Sequence, residues 1–185
     1  MHVEILDIPD VKLLTPKKHG DARGFFSETW NARAFAEATG ADVTFVQDNH
    51  ALSAAKGVLR GLHFQIAPAA QDKLVRVTRG AILDVAVDIR RSSPTFGRHV
   101  KAVVSAENWK QIWVPKGFAH GYVTLEPDTE VVYKVTGYYS PAHDRGLLWS
   151  DPALAIDWGI GAAAAQLSEK DTRQPRLAEL AEMFA

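Results

Sequence analysis

Two segments of this chain place a histidine among residues that could take part in proton transfer. The segment 59–65 reads LRGLHFQ and carries Arg60 and His63, and the segment 115–120 reads PKGFAH and ends at His120. An imidazole titrates near neutral pH, so it can serve as a proton acceptor, a proton donor or a metal ligand. The residues around the two histidines therefore decide between proton chemistry and metal binding.

Metal binding requires more ligands than these two segments provide. Mononuclear metal cupins, as that family is known, use a His-x-His pair, a following glutamate and the histidine of a Pro-x-Gly-x-x-His loop as ligands. Here His63 is followed by Phe64 and Gln65, alanines stand where the glutamate would be, and only His120 matches the pattern. Two imidazoles without a third protein ligand make a poor metal site. The chain contains no cysteine, which excludes thiolate metal sites, disulfides and cysteine nucleophiles. We therefore expect proton chemistry and no bound metal.

Length and charge narrow the class of protein. A chain of 185 residues has the size of one domain, and we expect a single domain over residues 1–185. The formal net charge of -1 lacks the basic excess that nucleic-acid binding requires. The acidic N-terminus is unlike a signal peptide, and no apolar run approaches the ~18 residues that cross a bilayer. These features predict a cytoplasmic protein without nucleic-acid or membrane partners.

Hydrophobic alternation predicts a mainly β protein. In the segment 83–89 the odd positions are all large and apolar, which is typical of a half-buried strand. Comparable patterns predict strands at 74–78, 99–104, 111–114, 121–125 and 130–136. Many short strands separated by turn residues favour a sandwich, a jelly roll or a barrel.

Helices are expected to be few, short and peripheral. Asn31 can cap a helix over residues 32–39, and Gly40 stands where a helix commonly stops. A second, amphipathic helix is predicted after Pro175, because Leu177, Leu180 and Phe184 would fall on one of its faces.

Strand parity indicates which polar side chains point inward, since alternate side chains face opposite sides of a sheet. Tyr133 shares its face with Val131 and Val135, and Lys73 shares its face with Val75 and Val77. An inward lysine is costly to bury unless it meets an anion. The alternatives are that Lys73 reaches water from a strand end and that Tyr133 only packs in the core.

Arg60 and His63 have opposite parity, so an ideal strand cannot direct both into one cavity. A bulge at Gly61 would bring them together, and an arginine reaching around the rim would do the same. The sequence leaves these two arrangements open, as it leaves open a purely structural, hydrogen-bonded His63.

Taken together and in order, the motifs resemble the dTDP-4-dehydrorhamnose 3,5-epimerase family of the cupin superfamily. The matching segments are 21–28 (DARGFFSE), 47–49 (QDN), 59–65 (LRGLHFQ), 73–75 (KLV), 93–97 (SPTFG), 115–121 (PKGFAHG), 133–134 (YK), 151–152 (DP) and 168–171 (SEKD). The resemblance implies a cupin-type jelly-roll barrel, a homodimer, no cofactor and a dTDP-4-keto-6-deoxy sugar as substrate. The implied reaction inverts carbons 3 and 5 of dTDP-4-dehydro-6-deoxy-D-glucose to give dTDP-4-dehydro-L-rhamnose.

The resemblance also implies roles for individual residues. His63 corresponds to the general base, Asp171 to the carboxylate that orients it, and Tyr133 to the acid on the opposite face of the sugar. Arg60 and Lys73 would lie near the ketone and the pyrophosphate. The remaining residues at substrate-contact positions are Arg23, Phe26, Glu28, Gln47, Asp48, Asn49, His120, Tyr139, Asp144 and Lys170.

Within that last group, Phe26 and Tyr139 are expected to stack on the thymine or to line its slot. Asp144 stands where the family often has glutamate, and its shorter side chain would alter the contact with the nucleotide or need a bridging water.

Three other functions are compatible with parts of the sequence. A relative of the same fold could invert a single centre or interconvert 3-keto and 4-keto sugars. A non-catalytic cupin could bind a sugar nucleotide or regulate a partner. A metal-dependent cupin oxygenase or isomerase would need the third ligand that the sequence lacks.

Overall fold

The computed structural model describes residues 1–184, which form thirteen β-strands, one α-helix and three short 3-10 helices. The strands are β1 (His2–Ile5), β2 (Lys12–Thr15), β3 (His19–Asp21), β4 (Gly24–Phe26), β5 (Gln47–Ser53), β6 (Leu59–Gln65), β7 (Lys73–Arg79), β8 (Ala81–Asp88), β9 (His99–Ser105), β10 (Gln111–Val114), β11 (Phe118–Thr124), β12 (Thr129–Val135) and β13 (Asp144–Gly146). The helix α1 spans Ala32–Thr39, and the 3-10 helices span Ala162–Ala164, Asp171–Arg173 and Leu177–Glu179.

Two antiparallel sheets pack face to face and make the body of the molecule. One sheet has the strand order β1-β2-β10-β7-β12-β5, and the other has the order β13-β6-β11-β8-β9. The strands β3 and β4 form a separate hairpin. The predicted strands are confirmed with shifts of a few residues at their ends, and the mainly β fold class is confirmed with them.

The space between the two sheets is filled by alternate side chains of both. Val75, Val77 and Val131 of the first sheet meet Ile82 and Phe118 of the second in one buried cluster. This is the face that Lys73 and Tyr133 share by strand parity, and Tyr133 packs against the cluster. The interior of the barrel is therefore apolar, and the polar residues at its wall need specific partners.

The prediction that β8 is half-buried is wrong, because both of its faces are covered. Val85, Val87 and Ile89 belong to a second buried cluster, on the outer side of the five-stranded sheet. The C-terminal part of the chain covers that side with residues that include Leu154, Trp158 and Leu180. The other face of β8 places Asp84 and Asp88 inside the protein, and both are fully buried.

The helix prediction is confirmed at α1 and wrong near the C-terminus. Asn31 accepts a hydrogen bond from the Ala34 N–H at 3.0 Å, and Gly40 ends the helix in the left-handed conformation. After Pro175 only the 3-10 helix Leu177–Glu179 forms. The apolar residues expected on one helical face instead pack an irregular chain against the second cluster, where backbone bonding to Arg90 and Arg91 holds Phe184. None of the helices among residues 1–184 has the length and apolarity to cross a membrane.

A register shift between β6 and β11 resolves the parity conflict between Arg60 and His63. His63 pairs with His120 and Arg60 pairs with Tyr122, so three steps along β6 match two steps along β11. The extra residue of a bulge reverses the parity beyond it, and both side chains reach the same wall. A Cβ atom on Gly61 would lie 2.6 Å from the Gly121 Cα, so this crossing requires glycine.

The other buried carboxylate of β8 fastens the turn after that strand. Asp88 accepts hydrogen bonds from Arg90 Nη2 at 2.7 Å, Ser93 Oγ at 2.6 Å and Thr95 Oγ1 at 2.6 Å. Burial alone would raise the pKa of Asp88, but these hydrogen bonds outweigh it and lower the pKa to about 2. Asp88 therefore stabilises the fold most above its unfolded pKa near 4, and that contribution is lost as the pH falls towards 2.

We predict that Asp88→Asn lowers the free energy of unfolding by about 3 kcal/mol at neutral pH, because it removes the buried negative charge that pairs with Arg90. Urea denaturation measures the loss, and the difference from wild type should shrink as the pH falls from about 4 towards 2. Asp128→Asn is the control, since Asp128 is exposed and lies 3.9 Å from its partner Arg79. A difference that stays constant down to low pH would contradict the assigned charge effect.

Candidate active site

A cavity of about 530 Å³ opens between the two sheets at the level of the bulge. Its wall is formed by β6, β7, β11 and β12 together with the segment that precedes and begins the 3-10 helix Asp171–Arg173. The polar residues that line it are Arg60, His63, Lys73, His120, Tyr122, Tyr133, Gln166, Ser168, Lys170 and Asp171. We call this space the larger cavity.

His63 and Asp171 form a hydrogen-bonded pair at this wall. The distance from His63 Nε2 to Asp171 Oδ1 is 2.5 Å, and Asp171 is 3% exposed. Burial would raise the pKa of Asp171, but hydrogen bonds and the charge of His63, with help from Ser168 and the Gly61 N–H, lower the pKa overall. Asp171 therefore stays ionised and fixes which nitrogen of the His63 ring is left for another partner.

Tyr133 lies on the opposite wall, because β12 belongs to the six-stranded sheet and β6 to the five-stranded one. Burial raises the pKa of Tyr133, and the positive charge of Arg60 opposes that rise only in part. The phenol therefore keeps its proton at neutral pH and is able to donate it. Among the described residues 1–184, the Arg60 guanidinium makes two long hydrogen bonds, 3.4 Å to Ser53 Oγ and 3.3 Å to the Leu52 carbonyl.

Lys73 extends from the start of β7 into the same space. Its Nζ donates to the His63 carbonyl at 3.4 Å. Burial lowers the pKa of Lys73 to about 8, against the charges of Asp84 and Asp144, which raise it. The ammonium is therefore poorly solvated but still mostly protonated at neutral pH, which suits it to meet a developing negative charge.

His120 is fixed from behind by a residue that the sequence-based reasoning missed. Both carboxylate oxygens of Asp84 lie within hydrogen-bond distance of His120 Nε2, at 3.0 and 2.9 Å. Tyr122 is a second missed residue, and burial raises its pKa to about 12. A signal for Asp84 was present, because it is a carboxylate inside an otherwise apolar run, but half-burial of β8 would have placed it in solvent.

A smaller cavity of about 340 Å³ shares His63, Lys73, Tyr133 and Lys170 with the larger one. It extends the site towards further sequence-predicted residues, namely Gln47, Asn49, Tyr139 and Asp144. These side chains are linked: Gln47 Nε2 donates to Asn49 Oδ1 at 2.8 Å, and the Tyr139 hydroxyl donates to Asp144 Oδ2 at 3.2 Å. Lys170 pairs with Asp144 as well.

Four sequence-predicted residues lie outside both cavities. Arg23, Phe26 and Glu28 are exposed on and beside the β3–β4 hairpin, and Arg23 pairs with Asp21 of the same hairpin. Asp48 lies on the outer face of β5, where it pairs with Lys134 at 2.9 Å. Strand parity explains Asp48, since Gln47 and Asn49 on either side of it face the smaller cavity.

The histidines of the site are directed at carboxylates rather than at one another. Within residues 1–184, no three histidine, aspartate or glutamate side chains come together in a way that could hold a metal ion. The arrangement instead brings an imidazole with an ionised partner, a protonated phenol on the facing wall and a lysine into one cavity.

Comparison with known proteins gives one consistent family. The family model described as dTDP-4-dehydrorhamnose 3,5-epimerase matches residues 5–179. A dTDP-4-dehydrorhamnose 3,5-epimerase from Sinorhizobium fredii is 54% identical over 100% of this chain and 93% of its own length. One from Pseudomonas aeruginosa is 55% identical over 94% of each chain.

A solved structure shares both the fold and much of the sequence. The dTDP-6-deoxy-D-glucose-3,5-epimerase RmlC from Legionella pneumophila, in complex with dTDP-4-keto-L-rhamnose, superposes with a TM-score of 0.92. It is 45% identical, with 97% of this chain and 94% of that chain covered. The jelly-roll barrel is therefore of the cupin type, and this chain belongs to the dTDP-4-dehydrorhamnose 3,5-epimerase family.

Proposed function

We propose that this protein inverts carbons 3 and 5 of dTDP-4-dehydro-6-deoxy-D-glucose and so forms dTDP-4-dehydro-L-rhamnose. The observation that carries the proposal is that His63 and Tyr133 line one cavity from opposite sheets. Inversion requires a proton to leave one face of the carbon and another to arrive at the opposite face. A sugar ring held between these two walls meets both requirements.

His63 is the proposed base, and Asp171 stabilises the imidazolium that forms. The Asp171 carboxylate is ionised and buried 2.5 Å from His63 Nε2, so proton uptake by His63 gains a charged partner. The base takes the proton from carbon 5 and then from carbon 3. Both protons lie next to the 4-keto group, and each removal moves negative charge onto the keto oxygen.

Lys73 and Arg60 are proposed to stabilise that enolate oxygen. Lys73 is protonated and poorly solvated, and Arg60 is held only by hydrogen bonds of 3.3 and 3.4 Å, so each has donors left for substrate. Preorganised donors of this kind are commonly the largest single contribution to such catalysis. Tyr133 then protonates the carbon from the other face.

The smaller cavity is proposed to hold the nucleotide part of the substrate. It is continuous with the larger cavity through Lys73 and Lys170, whose charges suit a diphosphate. The aromatic ring of Tyr139 is 58% exposed beside Asp144, in reach of a thymine. Gln47 and Asn49 supply amide groups for its polar edge.

We predict that incubation with dTDP-4-dehydro-6-deoxy-D-glucose in deuterated water labels carbons 3 and 5 and inverts both, because each proton is removed and replaced from solvent. NMR of the product gives position and configuration. His63→Asn should lower both labels by about 10³-fold or more, whereas the exposed His2→Asn on β1 should match wild type. Label and inversion at only one carbon would instead support a single-centre epimerase, and full activity of His63→Asn would refute the assigned base.

We also propose that the protein is a homodimer in which each subunit completes the other's site. The β3–β4 hairpin carries Arg23, Phe26 and Glu28 away from its own cavities, and Phe26 is 72% exposed. The hairpin is anchored at its base, where Phe25 packs edge-on against Trp109 at 5.0 Å. An anchored hairpin with an exposed aromatic ring suits insertion into a second copy.

We predict that two inactive variants restore activity when they are mixed. His63→Asn removes the base, and the double variant Arg23→Ala/Phe26→Ala removes the hairpin contacts. After refolding together, half of the dimers pair one subunit of each kind and contain one intact site, so about a quarter of wild-type activity per site should return. If the hairpin served its own subunit, the mixture would stay inactive.

A further inference from the structure

Asp84 is a buried carboxylate whose partners belong to the site although it does not line the site itself. It is fully buried on β8, and the larger cavity is lined by His120 and Lys73 but not by Asp84. A carboxylate in an apolar interior is costly unless cations or donors compensate it. The groups that compensate Asp84 therefore indicate what it is for.

The contact with His120 is direct. His120 Nε2 donates towards both carboxylate oxygens, at 3.0 and 2.9 Å, and His120 is itself 7% exposed. Since the proton on Nε2 is committed to Asp84, Nδ1 is the only ring nitrogen left for another partner. Asp84 therefore sets both the orientation and the tautomer of His120.

The interaction with Lys73 is electrostatic. Asp84 is the largest of the charges that favour the protonated form of Lys73, and Asp144 is the second. Within residues 1–184, no carboxylate comes close enough to Lys73 Nζ to form a salt bridge with it. The titratable and charged groups that share a cavity with Lys73 are Arg60, His63, His120, Tyr122, Tyr133, Tyr139, Asp144, Lys170 and Asp171.

Asp88, on the same strand, is a buried carboxylate with a structural role and can be compared with Asp84. It has the same parity and the same full burial as Asp84. Its partners are Arg90, Ser93 and Thr95, which line neither cavity of the site. Within residues 1–184, the carboxylate of Asp84 instead has one side-chain hydrogen-bond partner, His120, and that residue lines the cavity.

We propose that Asp84 is a positioning residue that orients His120 on its own sheet and favours the charged form of Lys73 on the facing sheet, so that the two act as preorganised donors for the enolate oxygen. The inference rests on the proposed epimerase function, because it assigns a task to donors around the 4-keto group. A carboxylate outside the cavity can orient one donor and favour the charged form of the other without competing with substrate for them.

The test is the pH dependence of kcat for Asp84→Asn. Wild-type kcat should fall as the pH rises past about 8, where Lys73 loses its proton, and Lys73→Met should have little activity and no such limb. Asp84→Asn keeps an oxygen for His120 but removes the charge, so deprotonation of Lys73 becomes easier. We expect kcat to fall at least about tenfold and its alkaline limb to move down by about one pH unit.

Asp88→Asn is the matched control. It removes a buried carboxylate from the same strand and destabilises the fold, but the alkaline limb should stay at its wild-type position. If Asp84→Asn does not fold, Asp84→Asn/His120→Gln replaces the pair by two neutral amides and should show the same downward shift. If the alkaline limb of kcat stays at its wild-type pH in whichever of these two variants folds, the inference is overturned. An equal shift of the limb in Asp88→Asn would overturn it as well.

The two proposals fail in different ways. A wild-type protein that neither labels nor inverts the sugar nucleotide in deuterated water counts against the epimerase function. A wild-type protein that does both, beside an Asp84→Asn variant with unaltered pH dependence, counts against the role of Asp84 alone.

Discussion

The geometry of the site depends on the bulge between β6 and β11, where β6 has one residue more than the part of β11 with which it pairs. Without the extra residue, Arg60 and His63 would face opposite sides of the sheet, and one of them would enter the outer apolar cluster. The two backbones approach so closely there that Gly61 and Gly121 each leave no room for a Cβ atom. The Gly61 N–H also contributes to the low pKa of Asp171. A local packing constraint thus sets both the direction of His63, the proposed base, and part of the environment of the carboxylate that pairs with it.

A second constraint follows from placing charge inside an apolar barrel. His63 with Asp171 and His120 with Asp84 are each compensated within hydrogen-bond distance, whereas Lys73 relies on charges further away. The removal of one member of a buried pair commonly costs about 3–5 kcal/mol, so these groups fix one another. Lys73, which no carboxylate contacts among residues 1–184, lies where the substrate is proposed to develop negative charge. The positive charge of Lys73, which the protein compensates only from a distance, is therefore available to the substrate where the reaction is proposed to occur.

Much of this arrangement could be predicted from local patterns. The caps of α1, the strands and the inward parity of Lys73 and Tyr133 follow from residue types and spacing, because each reflects short-range geometry. What could not be predicted depends on contacts between distant segments. The C-terminal residues Leu177 and Leu180 fit a helical face, yet they cover the outer side of the five-stranded sheet. The apolar odd-numbered residues of β8 therefore face this cover, and Asp84 faces the space between the two sheets. The position of the hairpin away from its own cavity has the same origin, since the sequence does not show which surface a protruding segment will meet.

In the proposed mechanism, protons leave the sugar to His63 on one wall and arrive from Tyr133 on the other. Tyr133→Phe tests it most directly in deuterated water, by comparing label with configuration at carbons 3 and 5. With the acid removed, the imidazolium can return only a solvent-exchanged proton to the face it came from. Tyr133→Phe should therefore continue to label the sugar with retained configuration, while inversion is reduced by about 10²-fold or more. Tyr138→Phe is the control, because that side chain is exposed, and it should label and invert like wild type. Inversion at the wild-type rate in Tyr133→Phe, or loss of labelling together with inversion, would contradict this mechanism.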